Sequence, residues 1–150
     1  MFKPLLACMG TMLFASVPYP QNFRGWTHVK SALITSAHPA FQAEGGIHHI
    51  YANPKATEGY ASGQFSDGSV IVYELVETHE KEGVISEGSR RRVDVMVKDA
   101  TRFQATGGWG FERFMADSQT AALAPGAAAK TCYECHTRAQ DHGFVFSRIR

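Results

Sequence analysis

Hydrophobic residues in the middle of the chain recur at every second position, which is the period of a β-strand with one buried face. Val93, Val95 and Val97 show this alternation, and the stretch before them is rich in β-branched residues, which favour strands. A turn signal at residues 66–68 and a polar, glycine-containing hairpin at residues 80–89 separate the segments. We therefore predict four strands, at residues 47–52, 69–76, 93–97 and 109–114.

A helical spacing occurs before the first of these strands. Four apolar side chains recur there at intervals of three or four: Phe23, Trp26, Val29 and Leu33. This spacing predicts an amphipathic helix over residues 22–38, and Pro54 suits the start of a short helix over residues 54–60. With a further helix near the C-terminus, the elements indicate one α+β domain. Its mainly antiparallel sheet is expected to carry an N-terminal and a C-terminal helix.

The first residues have the layout of a secretory signal peptide, in which a lysine precedes an apolar stretch, small residues and prolines. We predict a signal peptide over residues 1–17, with cleavage near Ala15 to Val17, and a mature domain over residues 18–150. The mature protein is therefore expected outside the cytoplasm. Removal of the leader also removes Cys8, which leaves two cysteines near the C-terminus.

Those two cysteines lie in one pentapeptide, Cys132-Tyr133-Glu134-Cys135-His136. This is the C-x-x-C-H pattern of c-type haem attachment. Two thiols at this spacing can each add to a vinyl group on one edge of the porphyrin, and the adjacent imidazole can ligate the iron. We therefore predict one covalent haem c bound by Cys132 and Cys135, with His136 as the axial ligand of the metal.

Two other uses of the motif remain open. A thioredoxin-like dithiol would need a βαβ context, whereas the chain before the motif is rich in alanine. A zinc site would need a fourth ligand beside Cys132, Cys135 and His136, and His142 is available for that role. Both interpretations fit the surrounding sequence less well than haem does.

Charge narrows the possible partners. The chain has 15 Lys plus Arg and 14 Asp plus Glu, so a broad nucleic-acid-binding surface is not expected. The one dense basic run is Arg90-Arg91-Arg92, which predicts a solvated strand end, a docking patch for an anionic partner, or a gate over a haem propionate. Arg102 and Arg113 are further candidates to pair with a propionate.

A glycine-rich block at residues 107–111 lacks the spacing of a phosphate-binding loop. Its glycines predict a tight turn or a close backbone approach. Trp109 and Phe111 within it are expected to fill the core.

Several blocks of the sequence resemble the cytochrome P-460 and cytochrome c′-beta family over nearly the whole mature chain. They are Tyr19-Pro20, Trp26, HHIYAN at residues 48–53, FSDGSVIV at 65–72, VMVKD at 95–99, GGWGF at 107–111, CYECH at 132–136 and FVFS at 144–147. Small electron-transfer cytochromes c instead carry the haem motif near the N-terminus. The resemblance implies a mainly antiparallel sheet, a homodimer and a periplasmic location.

The haem face opposite His136 decides the function, and three possibilities follow. In the first, which resembles cytochrome c′-beta, this face is open and capped by apolar side chains. The iron would then bind nitric oxide or another small diatomic ligand. Phe65 is the candidate cap, and Met96 is a second candidate for the distal wall.

In the second possibility, implied by cytochrome P-460 members, the protein oxidises hydroxylamine and carries a lysine cross-linked to the porphyrin. That lysine should come from the central sheet, but none lies between Lys55 and Lys81, and Lys98 is expected at an exposed strand end. The sequence therefore leaves enzymatic activity undecided. A distal carboxylate could accept a proton, with Glu74 as first candidate and Asp94 as second.

In the third possibility, a protein side chain fills the sixth position of the iron, and the protein exchanges electrons with a redox partner protein. The candidate ligands are Met96, Met115, His48 and His49. His48 and His49 are neighbours on a predicted strand and point to opposite faces, so at most one of them can reach a haem.

Overall fold

The computed structural model describes residues 16–149. Its centre is a five-stranded antiparallel sheet in which each strand pairs with the next one along the chain. The strands are β1 (Thr27–Ile34), β2 (Gly46–Ala52), β3 (Val70–Lys81), β4 (Val84–Lys98) and β5 (Trp109–Met115). The four predicted strands are confirmed, and the fold belongs to the predicted α+β class.

Short helices connect the strands. They are α1 (Phe41–Glu44), α2 (Pro54–Ser62) and single 3₁₀ turns at Phe23–Gly25 and Gln104–Thr106. Asn53 caps the start of α2, because its Oδ1 accepts a hydrogen bond from the backbone N–H of Ala56 at 2.9 Å. Pro54 occupies the first turn, so the short helix predicted over residues 54–60 is confirmed.

The amphipathic helix predicted over residues 22–38 is wrong, because residues 27–34 at its centre form strand β1. The register between β1 and β2 shifts between His28 and Lys30, so Val29 is the extra residue of a β-bulge. Val29 packs in the same core cluster as Ile50, and Lys30 pairs with Ile50 in the sheet. Two successive residues thus share one face, which breaks the period of two and imitates helical spacing.

Strands β3 and β4 form a long hairpin. The predicted hairpin region at residues 80–89 contains only a two-residue turn, Glu82-Gly83, with φ angles of 53° and 78°. Such positive φ angles are those of the type I′ turn that suits a twisted hairpin. The flanking residues continue the strands, so the hairpin has a shorter turn and longer arms than expected.

The sheet separates two clusters of buried residues. One cluster includes Ala52, Ile71, Met96, Trp109, Phe111 and Val145. The other includes Val17, Phe23, Val72, Val93, Val95 and Phe114. We call the side of the sheet that carries the first cluster the cavity face, and the side that carries the second the far face.

The glycine-rich block forms the start of β5 and packs as predicted. Trp109 is 0% exposed and Phe111 is 6% exposed, so both are core residues. A Cβ atom on Gly110 would lie 2.3 Å from the ring of Phe103, so this position needs glycine to allow the close approach.

The predicted C-terminal helix is a series of three short helical turns. They are a π-helical turn (Ala129–Tyr133), α3 (Glu134–His136) and a 3₁₀ segment (Thr137–His142). Gly143, with φ 65°, ends the series, and Val145 then enters the core of the cavity face. The C-x-x-C-H motif thus lies on a short helical segment that is anchored directly to the sheet.

The predicted signal peptide lies almost entirely outside the described residues. Val17, its last residue, is 4% exposed and packs with Phe23 and Phe114 on the far face. A cleavage point after residue 17 would remove this core side chain. Among residues 16–149, no helix combines the length and the apolar character needed to cross a lipid bilayer.

Candidate functional site

A cavity of about 410 Å³ lies between the cavity face of the sheet and the C-terminal segment. Its volume is within the range of sites that hold small molecules and cofactors. The C-terminal wall contains Cys132, Cys135, His136, Val145 and Phe146. The apolar part of the sheet wall contains Ile50, Ile71, Met96 and Phe111.

Both cysteines of the motif line this cavity as free thiols. Burial raises the pKa of the Cys132 thiol to about 11. A redox-active dithiol depends instead on a lowered cysteine pKa, so the site does not have the character of a thioredoxin-like centre. His142, the fourth ligand that the zinc interpretation needs, lines a different cavity together with Gly59 and Tyr60.

His136 is held in the orientation of a metal ligand. Its Nδ1 lies 2.7 Å from the carbonyl oxygen of Phe144. A carbonyl only accepts, so Nδ1 carries the proton and donates it, which leaves the Nε2 lone pair available for a metal. Burial lowers the pKa of His136, which favours the neutral imidazole that coordination requires. Two thiols and one oriented imidazole on a single wall fit a c-type haem.

The C-terminal segment is tied to the fold on both sides of this histidine contact. Trp109 Nε1 donates to the carbonyl oxygen of Gly143 at 2.9 Å. The Tyr60 hydroxyl and Ser147 Oγ are 2.6 Å apart, and burial raises the pKa of Tyr60 to about 12. Phe144 itself has a φ of 67°, in the left-handed region. These contacts determine where the Phe144 carbonyl points.

A network of charged side chains occupies the polar part of the sheet wall. Arg92 lies 2.6 Å from the carboxylate of Glu44 and 2.9 Å from that of Asp94. Arg113 donates to both oxygens of Asp94, at 2.6 and 2.9 Å. The Tyr73 hydroxyl donates to Glu44 at 2.7 Å. The wall is therefore more polar than the apolar cap expected from the sequence.

The arginines that the sequence suggests as partners of a haem propionate fall into two groups. Arg92 and Arg113 line the cavity, so they remain candidates. Arg90 pairs with Glu74 and Asp117, and Arg102 donates to the backbone oxygen of Ser16. Arg91 donates to the carbonyl of Gly45. The basic run is thus distributed among carboxylates and carbonyls of this fold rather than forming one solvated patch.

His48 and His49 lie on opposite faces of β2, as predicted. His48 lines the cavity and stacks on the Tyr73 ring, with 5.0 Å between ring centroids. His49 Nδ1 is 2.6 Å from Ser31 Oγ, and its Nε2 is 2.8 Å from Glu87. His48 is therefore the one member of the pair that faces the cavity.

Glu74, the first candidate for a distal carboxylate, does not reach the cavity. It is 0% exposed and forms ion pairs with Arg24 at 2.9 Å and Arg90 at 2.6 Å. Its neighbour Tyr73 takes the cavity side of β3, and the alternation of a strand sends Glu74 to the far face. Asp94, the second candidate, is a carboxylate of the cavity wall, and so are Glu44 and Glu112, which sequence reasoning missed.

Phe65, the candidate cap, lies beside the cavity but not in its wall. Its ring packs on Trp109, with 5.6 Å between centroids, and on Tyr60, with 5.2 Å. Phe111 and Phe146 are the aromatic side chains near His136, at centroid distances of 5.1 and 5.0 Å. Phe65 therefore lies outside the cavity wall, and Met96, the second candidate for the distal wall, lines it.

The methionines considered as wall residues or ligands are also separated by the fold. Met96 is 8% exposed and lines the cavity, as its predicted role requires. Met115 is 50% exposed at the end of β5 and does not line it.

One lysine lines the cavity, and it is a residue that sequence reasoning missed. Lys30 reaches the cavity from β1, where the bulge places it opposite Ile50. The helix predicted for this segment concealed its position. Lys55 donates to the backbone oxygen of Asp67, and Lys98 donates to that of Gly107.

A comparison with models of protein families identifies a family for this chain. The family model described as Cytochrome P460 matches residues 20–147. A search of curated proteins found no match. The matched range covers the sheet, the cavity and the C-x-x-C-H motif.

Proposed function

Since the chain belongs to the cytochrome P460 family of haem-binding proteins, we propose that it is an exported c-type cytochrome. Its single haem is bonded to Cys132 and Cys135, and His136 is the axial ligand of the iron. When bound, the haem supplies an iron that can take a small ligand or change its oxidation state.

The observation that carries this proposal is the hydrogen bond from His136 Nδ1 to the Phe144 carbonyl, at 2.7 Å. It fixes the tautomer of the imidazole in the same wall that carries both thiols. A histidine held in this way is prepared to coordinate a metal through Nε2.

We propose that the second axial position stays free and binds nitric oxide or another small diatomic ligand. Ile50, Ile71 and Met96 supply an apolar wall for such a ligand. Met96 takes the role of distal wall residue that the sequence assigned first to Phe65.

The test uses mature protein made in a host that attaches haem c. We expect the added mass of one haem, retained after denaturation, and a high-spin ferrous spectrum that changes when nitric oxide is added. A variant with both Cys132→Ala and Cys135→Ala should lose the covalent haem. Cys8→Ala is the matched control, since the leader is removed, and it should leave haem content unchanged. A colourless mature protein without added mass would contradict the proposal.

A second candidate function is oxidation of hydroxylamine, and the position of Lys30 favours it. This lysine lines the cavity, so the chain does offer a residue for the porphyrin cross-link that cytochrome P-460 members carry. A cross-linked protein should show a red-shifted ferrous Soret band that Lys30→Met abolishes. Lys81→Met, at the exposed end of the β3–β4 hairpin, is the control. A spectrum of ordinary haem c in the unchanged protein would exclude the cross-link.

We further propose a periplasmic location and a homodimeric state, with a redox partner protein if electrons are exchanged. The leader pattern supports export, and the family resemblance supports the dimer. Fractionation of the native host and sedimentation of the haem-loaded protein test these two points.

A further inference from the structure

We propose that His48 donates a hydrogen bond to the ligand bound in the cavity, and that Tyr73 and Glu44 are positioning residues for this imidazole. This inference rests on the proposed function, because it assigns a protein contact to the ligand of that same site. The ligand class is a small molecule whose outer atom gains negative charge on binding, such as nitric oxide or carbon monoxide.

The first step of the argument is the fixed position of His48. Its ring stacks on Tyr73 with 5.0 Å between centroids and 29° between planes. The Tyr73 hydroxyl donates to Glu44 at 2.7 Å, and Arg92 holds the same carboxylate at 2.6 Å. The guanidinium of Arg92 also lies over the Tyr73 ring, at 5.6 Å. His48 therefore rests on a tyrosine that is secured at both its hydroxyl and its ring.

The second step concerns the two ring nitrogens of His48. Nδ1 is fully buried and has no hydrogen-bond partner among the described residues. A buried N–H without an acceptor is rarer than a buried acceptor without a donor, so Nδ1 is the unprotonated nitrogen. In a neutral imidazole the proton then sits on Nε2, which leaves Nε2–H as the donor.

The third step is the charge state of the ring. Burial lowers the pKa of His48, and the nearby charges of Lys30 and His49 act in the same direction, whereas Glu44 opposes them. The imidazole is therefore neutral near pH 7 and offers one N–H rather than two. This arrangement suits a neutral ligand that needs a single donor.

The fourth step is the choice of donor within the wall. The side chains of Ile50 and Ile71 have no polar atoms, and the guanidinium groups of Arg92 and Arg113 are oriented toward Glu44 and Asp94. His48 and Lys30 are then the candidates of the sheet wall, and the rigid imidazole loses less freedom on binding than a lysine does. The geometry thus favours His48.

The experiment measures the carbonyl complex of the haem-loaded ferrous protein. His48→Phe should raise the C–O stretching frequency and speed dissociation of carbon monoxide by about two- to tenfold, the effect of one lost hydrogen bond. His48→Gln keeps an N–H donor at this position, so it should raise the C–O frequency less than His48→Phe does. Tyr73→Phe should raise the C–O frequency by a smaller amount. It removes the hydrogen bond to Glu44 that holds the ring beneath His48, but it leaves the His48 donor in place.

The matched control is His49→Phe, the adjacent histidine on the far face, which should not move the C–O frequency. Lys30→Met tests the other donor of the wall and should move the frequency less than His48→Phe does. An unchanged frequency in His48→Phe, or a shift in Lys30→Met alone, overturns this inference and leaves the proposed function intact. A protein that binds no carbon monoxide until His48 is replaced shows that His48 ligates the iron, and this overturns both. Failure of every variant to bind carbon monoxide also overturns both.

Discussion

The two faces of the sheet carry similar ion pairs in different surroundings. On the far face, Glu74 is 0% exposed and pairs with Arg24 and Arg90 beside a packed cluster of valines and phenylalanines. On the cavity face, Arg92 and Asp94 pair within a wall that borders about 410 Å³ of open volume. The same strands thus supply a filled core on one side and a binding surface on the other. The difference teaches that far-face residues determine stability, whereas cavity-face residues determine what binds.

The largest effect is expected from two phenylalanines of β5 that lie on opposite faces. Phe114→Ala removes a ring from a filled core and should lower the free energy of unfolding by about 4 kcal/mol. Phe111→Ala should cost only about 2 kcal/mol, because one side of this ring already borders a cavity and has fewer contacts to lose. Chemical denaturation of the proteins without haem measures both, because haem would fill the space beside Phe111. Equal losses would show that the two faces are packed alike.

The next effect concerns the ion pairs. Glu74→Ala leaves Arg90 without its buried partner and should lower the free energy of unfolding by about 3 kcal/mol. Glu87→Ala removes a carboxylate whose side chain is 43% exposed, so we expect a loss below about 1 kcal/mol. Neither variant should change the C–O frequency of the carbonyl complex. A frequency change in Glu74→Ala would show that the two faces are coupled.

The smallest effect concerns Glu44 on the cavity face, and it is a change in how the free energy of unfolding depends on pH. Burial alone would raise the pKa of Glu44, but hydrogen bonds from Tyr73 and Arg92 outweigh it and hold the pKa below its ordinary value of 4.5. The ionised carboxylate therefore stabilises the fold above about pH 4.5, and this contribution disappears as the pH falls through the lower pKa of the folded protein. Between about pH 5 and 3, the free energy of unfolding of Glu44→Gln should therefore fall less than that of the unchanged protein. Parallel profiles for the two proteins would contradict the assignment.

The sequence predicts most of the sheet because the central strands obey the period of two. Strand β1 is not predicted, because the bulge at Val29 places two successive residues on one face of the sheet. That error also conceals Lys30, since a residue on a predicted helix has no assigned partner in the sheet. Local pattern alone cannot correct it, because the bulge is defined only by pairing with β2.

For a related reason, the sequence predicts some residues of the site correctly and others not. Cys132, Cys135 and His136 are recognisable because their spacing alone carries the chemistry. Glu74 is misassigned because a strand buried on both faces gives no signal of which side faces the ligand. Phe65 and Glu44 lie outside the strands, and their contacts with Trp109 and Tyr73 depend on how distant segments pack.

A main-chain atom, the carbonyl oxygen of Phe144, sets the electron-donor strength of the proposed iron ligand His136. A hydrogen bond donated by Nδ1–H makes an imidazole a stronger electron donor, and here the acceptor is a backbone oxygen that every residue type possesses. Replacing the side chain at position 144 therefore cannot delete this acceptor and can only tilt it. Residues that tolerate a φ of 67°, such as glycine and asparagine, should preserve the redox potential, whereas a β-branched residue should alter it by turning the peptide plane.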